Sequence, residues 1–285
     1  MTETFDLAPE LQAFLESRGR LAEVATRLAL VADAVDLRVV GSVAAGSTTP
    51  ASDLDLLAVA NSKDMDAFVQ SLDHPVVSPT AIGFEVLGHV GEVLAPAVAF
   101  ARVVERGDPD PALPVPGERE LRLGYRLQGG IAVGAGGPVD RLDGLDDWGR
   151  LLIALYVITA LDFLEDASSW KGRDDYSWRL MLQEAREAVA FAAISHAGSY
   201  CPQRKWLARE LNRAEQLGSA IAPDLLEALV APADDDSLRE TANHIRSILA
   251  DLVADPECGK LGTYLGEFVA THYSAPVLAL VGVGP

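Results

Sequence analysis

The chain has 285 residues, 49% of them hydrophobic, which is enough for one large or two modest domains with a real core. Its 42 acidic and 23 basic residues give a formal net charge of −19. This charge repels nucleic acid unless a basic strip lies on one face, and no run of Lys or Arg supplies one, so the composition argues against a nucleic-acid partner. The negative charge is equally compatible with binding of a polycationic ligand and with an ordinary solubilising surface.

Several features indicate the compartment and argue against a membrane span. Cys201 and Cys258 are too few and too far apart for a metal knuckle, and reduced thiols in the cytoplasm are the simplest interpretation. The amino terminus lacks the basic and apolar regions of a signal peptide. The apolar run 151–164 contains Asp162 and is too short to span a bilayer, so it predicts a buried helix. We expect a cytoplasmic protein.

The first part of the chain predicts a small mixed sheet with helices behind it. Apolar residues at helical spacing between residues 9 and 31 indicate one or two amphipathic helices. Alternation of apolar and polar residues then predicts strands near 37–41, 54–60, 81–87 and 98–104. A helix is expected across 63–72. These elements are enough for a minimal catalytic domain.

The first two strands carry the most informative residues of the chain. Gly41 and Ser42 end the first strand, and Asp53 and Asp55 alternate along the second. Side chains two apart on a strand share a face and lie roughly 6.5 Å apart. We therefore expect the two aspartates to hold a metal ion between them, while the leucines that alternate with them face the core.

Gly41 and Ser42 suit a phosphate cradle beside these carboxylates. Gly41 lets the backbone turn tightly, Ser42 can donate its hydroxyl, and a helix beginning near Val43 would aim N–H groups at an anion. Mg²⁺ prefers one or two carboxylates plus phosphate oxygens to a cage made only of protein. The pattern therefore predicts a triphosphate site in which metal ions stabilise the attacking and leaving oxygens of a displacement at the α-phosphate.

A simpler interpretation of the same residues stays open. Gly41 and Ser42 can form an ordinary turn at the end of a strand, and Asp53 and Asp55 can be the solvent face of a half-exposed strand. The spacing between the two features favours the functional interpretation.

The stretch GSVAAGSTTPASDLDL, residues 41–56, resembles the signature of the nucleotidyltransferase superfamily, the polymerase-beta-like enzymes, in which Gly-Ser precedes an Asp-x-Asp. Within that superfamily it is most similar to the antibiotic nucleotidyltransferases and related small-molecule adenylyltransferases. The resemblance implies Asp53 and Asp55 as catalytic metal ligands, Gly41 and Ser42 as nucleotide-binding residues, Mg²⁺ as the cofactor and ATP as the expected nucleotide.

A third carboxylate is expected on a neighbouring strand. Residues 81–87 alternate so that Glu85 lies on the face opposite to three apolar residues. In the enzymes that the motif resembles, the residue at this place is a metal ligand or the general base for the acceptor hydroxyl, so Glu85 is assigned to the catalytic and metal site, with Glu92 as the alternative. An exposed glutamate on an edge strand is the simpler possibility.

Two stretches rich in Pro and Gly divide the chain. The segment GDPDPALPVPG, residues 107–117, predicts a loop. The glycine cluster at 129–137 lacks the lysine of a P-loop, so we interpret it as a linker. The predicted protein is therefore α+β, with a small mixed-sheet nucleotidyltransferase domain at 1–140 followed by an α-helical bundle domain at 141–285.

The second half of the chain predicts the bundle. Apolar residues at helical spacing indicate helices at 145–165, 175–197, 203–217, 222–231, 236–254 and 261–272. By resemblance to the antibiotic-modifying enzymes, this bundle binds the acceptor. The apolar tail 275–284 predicts a terminal strand or a packed arm.

Arg204 and Lys205 form a local conflict within the bundle. They fall in the first turn of a helix that Pro202 is expected to open, where the helix macrodipole disfavours cations. A bound anion would offset this, and the nucleotide triphosphate is the natural candidate, so both residues are assigned to nucleotide binding. Alternatively, they are a solvated surface pair above Trp206 and Leu207.

Acidic and aromatic residues cluster at the end of the first bundle helix. Carboxylates there can hold amines or accept a hydroxyl proton, and aromatic rings beside them can stack on a ligand. A solvated loop carboxylate is the alternative for each acid. The residues concerned are Asp162, Glu165, Asp166, Asp174 and Asp175, with Trp170, Tyr176 and Trp178.

These observations predict a Mg²⁺-dependent nucleotidyltransferase that moves a nucleoside monophosphate, AMP from ATP, to a hydroxyl of a small acceptor and releases pyrophosphate. A cationic, aminoglycoside-like antibiotic is one such acceptor. Two alternatives stay open: a toxin-type member of the superfamily that modifies a protein or tRNA, and a catalytically silent nucleotide-binding module with a regulatory role.

Overall fold

A computed structural model of the chain describes residues 9–17, 36–44, 48, 52, 54–59, 82–87, 90–106, 117–132, 148–198, 204–234, 236–256 and 258–282. The chain divides into two compact units. The N-terminal unit comprises Met1–Ala95 and Leu123–Leu145, and the helical unit comprises Pro96–Arg122 and Asp146–Pro285. The sequence predicts a single boundary near residue 140, whereas in the structure the segment 96–122 groups with the helical residues.

The N-terminal unit contains a mixed four-stranded sheet. Its strands are β1 (Asp36–Val40), β2 (Leu54–Val59), β3 (Ile82–Leu87) and β4 (Ile131–Ala132), in the order β3-β2-β1-β4. β1 runs antiparallel to β2 and to β4, and β2 runs parallel to β3. Two helices belong to the same unit, α1 (Pro9–Ser17) and the single turn α2 (Gly41–Ala44).

β2 is an inner strand of the sheet and is buried on both faces. Leu54 and Leu56, which the sequence predicts to face the core, are 3% and 1% exposed. Leu57, which points the other way, is also fully buried. Apolar residues on both faces are typical of a strand that is covered on each side, so Asp55 lies on a strand of the core.

Helices account for most of the described residues that follow β3. They are α3 (Val90–Arg106), α4 (Glu118–Gly129), α5 (Trp148–Trp170), α6 (Asp175–His196), α7 (Leu207–Gln216), α8 (Ala222–Val230), α9 (Ser237–Ala254), α10 (Gly259–His272) and α11 (Ala275–Val281), with a 3₁₀ turn at Arg204–Trp206. The helices predicted between residues 145 and 272 are confirmed, with ends that differ by a few residues. The sequence did not predict α4 or the short β4. The helix predicted at 63–72 lies outside the described residues.

The strand predicted at 98–104 is wrong, because these residues belong to α3. Ala97, Phe100 and Ala101 are buried at the three- and four-residue spacing of one helix face. The local alternation of apolar and small residues that indicated a strand is therefore part of a longer helical pattern, which includes Pro96 within the helix.

Of the two alternatives predicted for the tail, a terminal strand or a packed arm, the strand is wrong. Residues 275–281 form α11, with Pro276 in its first turn, where a proline costs no hydrogen bond. Val277, Leu278 and Val281 are buried at helical spacing. The helix ends at Gly282, which adopts the left-handed conformation that favours glycine.

α5 and α6 are the central pair of the helical unit and pack against each other extensively. All residues from Leu151 to Ile158 are buried, which explains the apolar run in the sequence. The N-cap residue of α6 is Asp174, whose carboxylate accepts hydrogen bonds from the backbone N–H groups of Tyr176 and Ser177. Among the described helices, none combines the length and the apolar character needed to cross a membrane.

Gly262 lets α10 approach α9 closely. A Cβ atom at Gly262 would lie 2.7 Å from the backbone nitrogen of Val253 and 2.9 Å from the carbonyl carbon of Leu252. Both distances are shorter than van der Waals contact, and both neighbours are backbone atoms that cannot swing aside. The spacing of these two helices therefore depends on the absence of a side chain at this position.

Candidate functional site

Asp55 and Gly41 lie side by side in the N-terminal unit. Val40, the residue before Gly41, is the antiparallel register partner of Asp55. Gly41 has a positive φ of 69°, and a Cβ atom there would lie 2.3 Å from Oδ2 of Asp55. The left-handed conformation favours glycine, and a side chain here would force the Asp55 carboxylate to shift. The half-buried carboxylate of Asp55 therefore faces bare backbone at the start of the Gly-Ser pair.

Ser42 is the next residue of this arrangement and is only 2% exposed. It lies in α2, which begins at Gly41 rather than near Val43 and comprises a single turn. A turn this short adds little macrodipole, so a contact with an anion would come from individual groups near Gly41 and not from a long helix. Ser52, on the approach to β2, is also buried, at 8% exposure.

The other predicted members of the site are described in part. Asp53 lies outside the described residues. Glu85 lies in β3, where its Cα is the parallel register partner of Leu57, two positions along β2 from Asp55. Positions two apart on a strand share a face, so position 85 lies on the face of the sheet that carries Asp55. Glu92, the alternative, lies in the first turn of α3.

The donor set at Asp55 is compatible with Mg²⁺, which takes oxygen ligands from one or two carboxylates. Within the described ranges, no group of three or more His, Cys, Asp and Glu side chains is placed to hold a metal ion. The pair Asp53 and Asp55 is not tested by this, because position 53 is outside those ranges.

A pocket of about 630 Å³ lies within the helical unit. Its lining includes three carboxylates and three cations, and apolar residues complete the wall. The charged residues are Glu118, Arg122, Glu184, Glu187, Arg204 and Lys205. Tyr156 and Phe191 line the same pocket, and their rings stack with centroids 5.0 Å apart. Opposite charges beside stacked rings suit a ligand that has both polar groups and a flat or apolar body.

Glu118, on one side of this pocket, has two side-chain partners. The Tyr156 hydroxyl donates a 3.0 Å hydrogen bond to Glu118 Oε1, and Arg122 Nη2 lies 2.6 Å from the same oxygen. Burial raises the pKa of Tyr156 well above its ordinary value, which keeps the phenol protonated and therefore a donor. Arg122 Nε is buried without a hydrogen-bond partner.

Arg204 and Lys205 lie in the 3₁₀ turn before α7 and both line the pocket. Arg204 Nη2 donates to Glu184 Oε1 at 2.8 Å, and Arg204 Nε donates to Glu187 Oε2. The anions that meet Arg204 here are therefore protein carboxylates, which raise the pKa of Arg204 still further. Lys205 Nζ lies 4.7 Å from the ring centroid of Trp206. Both residues are exposed, and their role in nucleotide binding stays a prediction.

No protein-family model matches this chain, and no curated protein matches it either. The functional inference therefore depends on the residues of the motif and on the geometry around them.

The acidic cluster predicted near the end of α5 has structural partners. The Tyr273 hydroxyl donates to Asp162 Oδ1, and Ser274 N donates to Glu165 Oε1. Asp174 caps α6, and Asp175 accepts hydrogen bonds from Trp178 Nε1 and Arg179 Nε. None of these four acids is among the residues that line the pocket.

Sequence reasoning missed the carboxylates that do line the pocket. Glu184 and Glu187 are three residues apart on α6, and so project from the same side of the helix. That spacing is visible in the sequence. Their convergence on Arg204, a distant residue along the chain, is a tertiary contact that local patterns do not encode.

Proposed function

We propose that this protein is a Mg²⁺-dependent nucleotidyltransferase that transfers a nucleoside monophosphate, AMP from ATP, to a hydroxyl group of a small acceptor. In this reaction the acceptor oxygen forms a bond to the α-phosphorus, the bond from that phosphorus to the bridging oxygen of pyrophosphate breaks, and the hydroxyl proton passes to a base. The observation that carries the proposal is the contact between Gly41 and the Asp55 carboxylate.

That contact supports the proposal because it explains the motif in physical terms. A nucleotidyl-transfer site needs a carboxylate beside a stretch of backbone that a phosphate can approach closely. Gly41 supplies bare backbone against Asp55, and any other residue would fill the space with Cβ. An ordinary turn at the end of a strand would not require the glycine to face the one acid of β2.

Each residue of the motif has a role in this proposal. Asp53 and Asp55 would hold Mg²⁺, which when bound neutralises charge on the phosphate oxygens and favours in-line displacement. Gly41 and Ser42 would receive the phosphates. Glu85 would accept the proton of the acceptor hydroxyl or add an oxygen ligand. The position of Glu85 on the face of the sheet that carries Asp55 is compatible with either role.

The pocket of the helical unit is the proposed acceptor site. Its volume of about 630 Å³ suits a small molecule, and its carboxylates can bind amino groups of a cationic acceptor. The stacked rings of Tyr156 and Phe191 offer an apolar surface for a sugar or aromatic ring. An aminoglycoside-like antibiotic combines these features.

The test is to incubate the protein with Mg²⁺, each of the four nucleoside triphosphates and a panel of aminoglycosides, and to weigh the products. We expect one acceptor to gain the mass of a nucleoside monophosphate, with release of pyrophosphate. Asp55→Asn should abolish this product, whereas Asp251→Asn, at an exposed position on α9, should leave it unchanged. Wild-type turnover in the Asp55→Asn variant would overturn the metal assignment and with it the proposal.

A further inference from the structure

Arg204 occupies a position where two carboxylates converge. Glu184 and Glu187 lie almost one turn apart on α6, and each accepts a hydrogen bond from the same guanidinium. All three side chains line the pocket of the helical unit. Two carboxylates that share the donors of one guanidinium can also share the three donors of an ammonium group.

The three side chains differ in how readily they can lose this contact. The Arg204 side chain is 60% exposed, whereas those of Glu184 and Glu187 are 32% and 13% exposed. An exposed guanidinium that leaves such a pair is resolvated at little cost. A largely buried carboxylate such as Glu187 needs a replacement partner, because leaving it unpaired is strongly unfavourable.

Glu118 differs from Glu184 and Glu187, here called the exchangeable pair, in where its partners lie in the chain. Glu118 is bound by Arg122, four residues away on the same helix, and by the hydroxyl of Tyr156. Arg204 instead reaches Glu184 and Glu187 from a separate segment of chain, a 3₁₀ turn that carries a second cation, Lys205.

We infer that Glu184 and Glu187 form a binding site for an ammonium group, which Arg204 occupies in the ligand-free protein. A ligand amine that enters the pocket displaces Arg204, and the released guanidinium, beside Lys205, then binds an anion. Cation and anion therefore bind with positive cooperativity. The inference deepens the proposed function, on which it rests for the natural identity of the two ligands: a cationic acceptor and a nucleotide phosphate.

The cooperativity follows from Glu187. An anion that draws Arg204 away by itself leaves the Glu187 charge without its guanidinium, although Gln183 Nε2 still donates to Glu187 Oε1. An amine that enters by itself leaves Arg204 without these two carboxylates. When both ligands bind, every charge has a partner. By linkage, each ligand must raise the affinity for the other by the same factor.

The experiment measures binding without any nucleotide, using 1,3-diaminopropane and inorganic pyrophosphate as probes and isothermal titration calorimetry as the readout. We expect pyrophosphate to tighten diamine binding to the wild-type protein roughly fivefold or more. Association of the diamine with pyrophosphate in solution lowers the free concentration of both, and so lowers the apparent affinity of the diamine for the protein. A titration of one probe into the other without protein measures this association.

Arg204→Gln should bind the diamine more tightly than wild type and should no longer respond to pyrophosphate. The double variant Glu184→Gln with Glu187→Gln should lose the diamine. Arg239→Gln is the matched control, since Arg239 on α9 is 68% exposed, pairs with Asp236 just before that helix, and does not line the pocket. It should behave as wild type. Circular dichroism checks that each variant is folded.

The inference is overturned if the diamine does not bind the wild-type protein, if pyrophosphate leaves its affinity unchanged, or if Arg204→Gln weakens it. None of these results depends on turnover, so they are independent of the product analysis with Asp55→Asn. A protein that transfers AMP but shows no cooperativity would refute the inference alone.

Discussion

The Tyr273 hydroxyl donates a 2.8 Å hydrogen bond to Asp162 Oδ1 and lies 3.2 Å from the carbonyl oxygen of Ile158. This contact joins the residue after α10 to the middle of α5, far apart in the chain. Tyr273 is only 9% exposed, so its hydroxyl has little access to other partners. Burial raises the pKa of Tyr273 far above its ordinary value, and the nearby carboxylate raises it further, so the donor is permanent.

Tyr273→Phe should therefore lower the free energy of unfolding of the helical unit by about 1 kcal/mol, the usual net value of such a bond. Tryptophan fluorescence in urea measures it, because every tryptophan of the chain lies at or beyond residue 148, within the helical unit. Tyr176→Phe is the control, since Tyr176 is 76% exposed and its loss of a hydroxyl should have little effect. Equal losses in the two variants would contradict the role of the hydrogen bond.

Asp162 should make stability depend on pH. Burial raises the pKa of Asp162, and this effect exceeds the opposite effect of the hydrogen bond from Tyr273. Folding therefore favours the protonated acid. The stability that this raised pKa contributes is fully present below about pH 3.9, the ordinary pKa of Asp. It is lost as the pH rises through the higher pKa of the folded protein.

Asp162→Asn cannot ionise, and its amide oxygen can still accept from Tyr273. Relative to wild type, this variant should become progressively more stable as the pH rises through that window. Unfolding in urea at a series of pH values is the measurement. Asp251→Asn, at an exposed position on α9, is the control, and its free energy of unfolding should vary with pH as that of the wild type does. The same pH dependence in Asp162→Asn and wild type would contradict the role of Asp162.

Two glycines of α10 should respond in opposite directions to alanine. Gly262→Ala places Cβ 2.7 Å from Val253 N and should cost about 1 to 3 kcal/mol as the helices are forced apart. Gly266 has no atom within 4 Å of its position for Cβ, so Gly266→Ala should stabilise the helix by up to about 1 kcal/mol. Thermal unfolding compares them. A gain in stability for both would mean that α9 and α10 separate freely.

Gly41→Ala should impair both folding and activity. It combines a positive φ of 69° with a clash at Asp55 Oδ2. Gly198→Ala is the matched control, because Gly198 has a φ of 72° but open space around its Cβ position, so it carries only the backbone strain of about 1 to 2 kcal/mol. Nucleotidyl transfer should be lost in the first variant and retained in the second. Retained activity in Gly41→Ala would show that close approach to Asp55 is unnecessary.

Glu85→Gln should lower turnover more than it weakens nucleotide binding if Glu85 is the general base, because a base acts on the proton in the transition state. Comparing kcat with the affinity for Mg²⁺-ATP separates this role from that of a ligand, for which both should fall together. Glu92→Gln serves as the comparison. If Glu92→Gln shows the larger loss, the role of base belongs to α3 instead of β3.

Local patterns were sufficient to predict the bundle helices and the inner strands. The prediction succeeded there because the apolar run of α5 is too long for a strand, whereas that of β2 is short. It failed at α3, where a short run fits both a period of two and a period of three to four, and only the burial of Phe100 against Tyr264 decides between them. Their rings meet edge to face, with centroids 5.8 Å apart.

The site shows the same division between local and tertiary information. The Gly-Ser and Asp-x-Asp pattern is local, and register then brings Asp55 beside Gly41. The exchangeable pair of Glu184 and Glu187 could not be predicted, because its identity depends on Arg204 arriving from another segment. The premise that Arg204 and Lys205 lie in the first turn of an α-helix was wrong, because α7 begins at Leu207 and both residues precede it in a 3₁₀ turn. The anions that Arg204 meets are protein carboxylates.

The alternation of the two units along the chain has a consequence for synthesis on the ribosome. Residues 96–122 of the helical unit emerge before β4, the strand that pairs with β1 in the N-terminal unit. The edge of β1 that pairs with β4 therefore stays unpaired until β4 is synthesised. Because each unit is built from two separate segments, the two units cannot fold one after the other as the chain emerges. A nascent chain that stalls before residue 132 carries an open sheet edge, so this interval of translation is the one in which a chaperone has the most to protect.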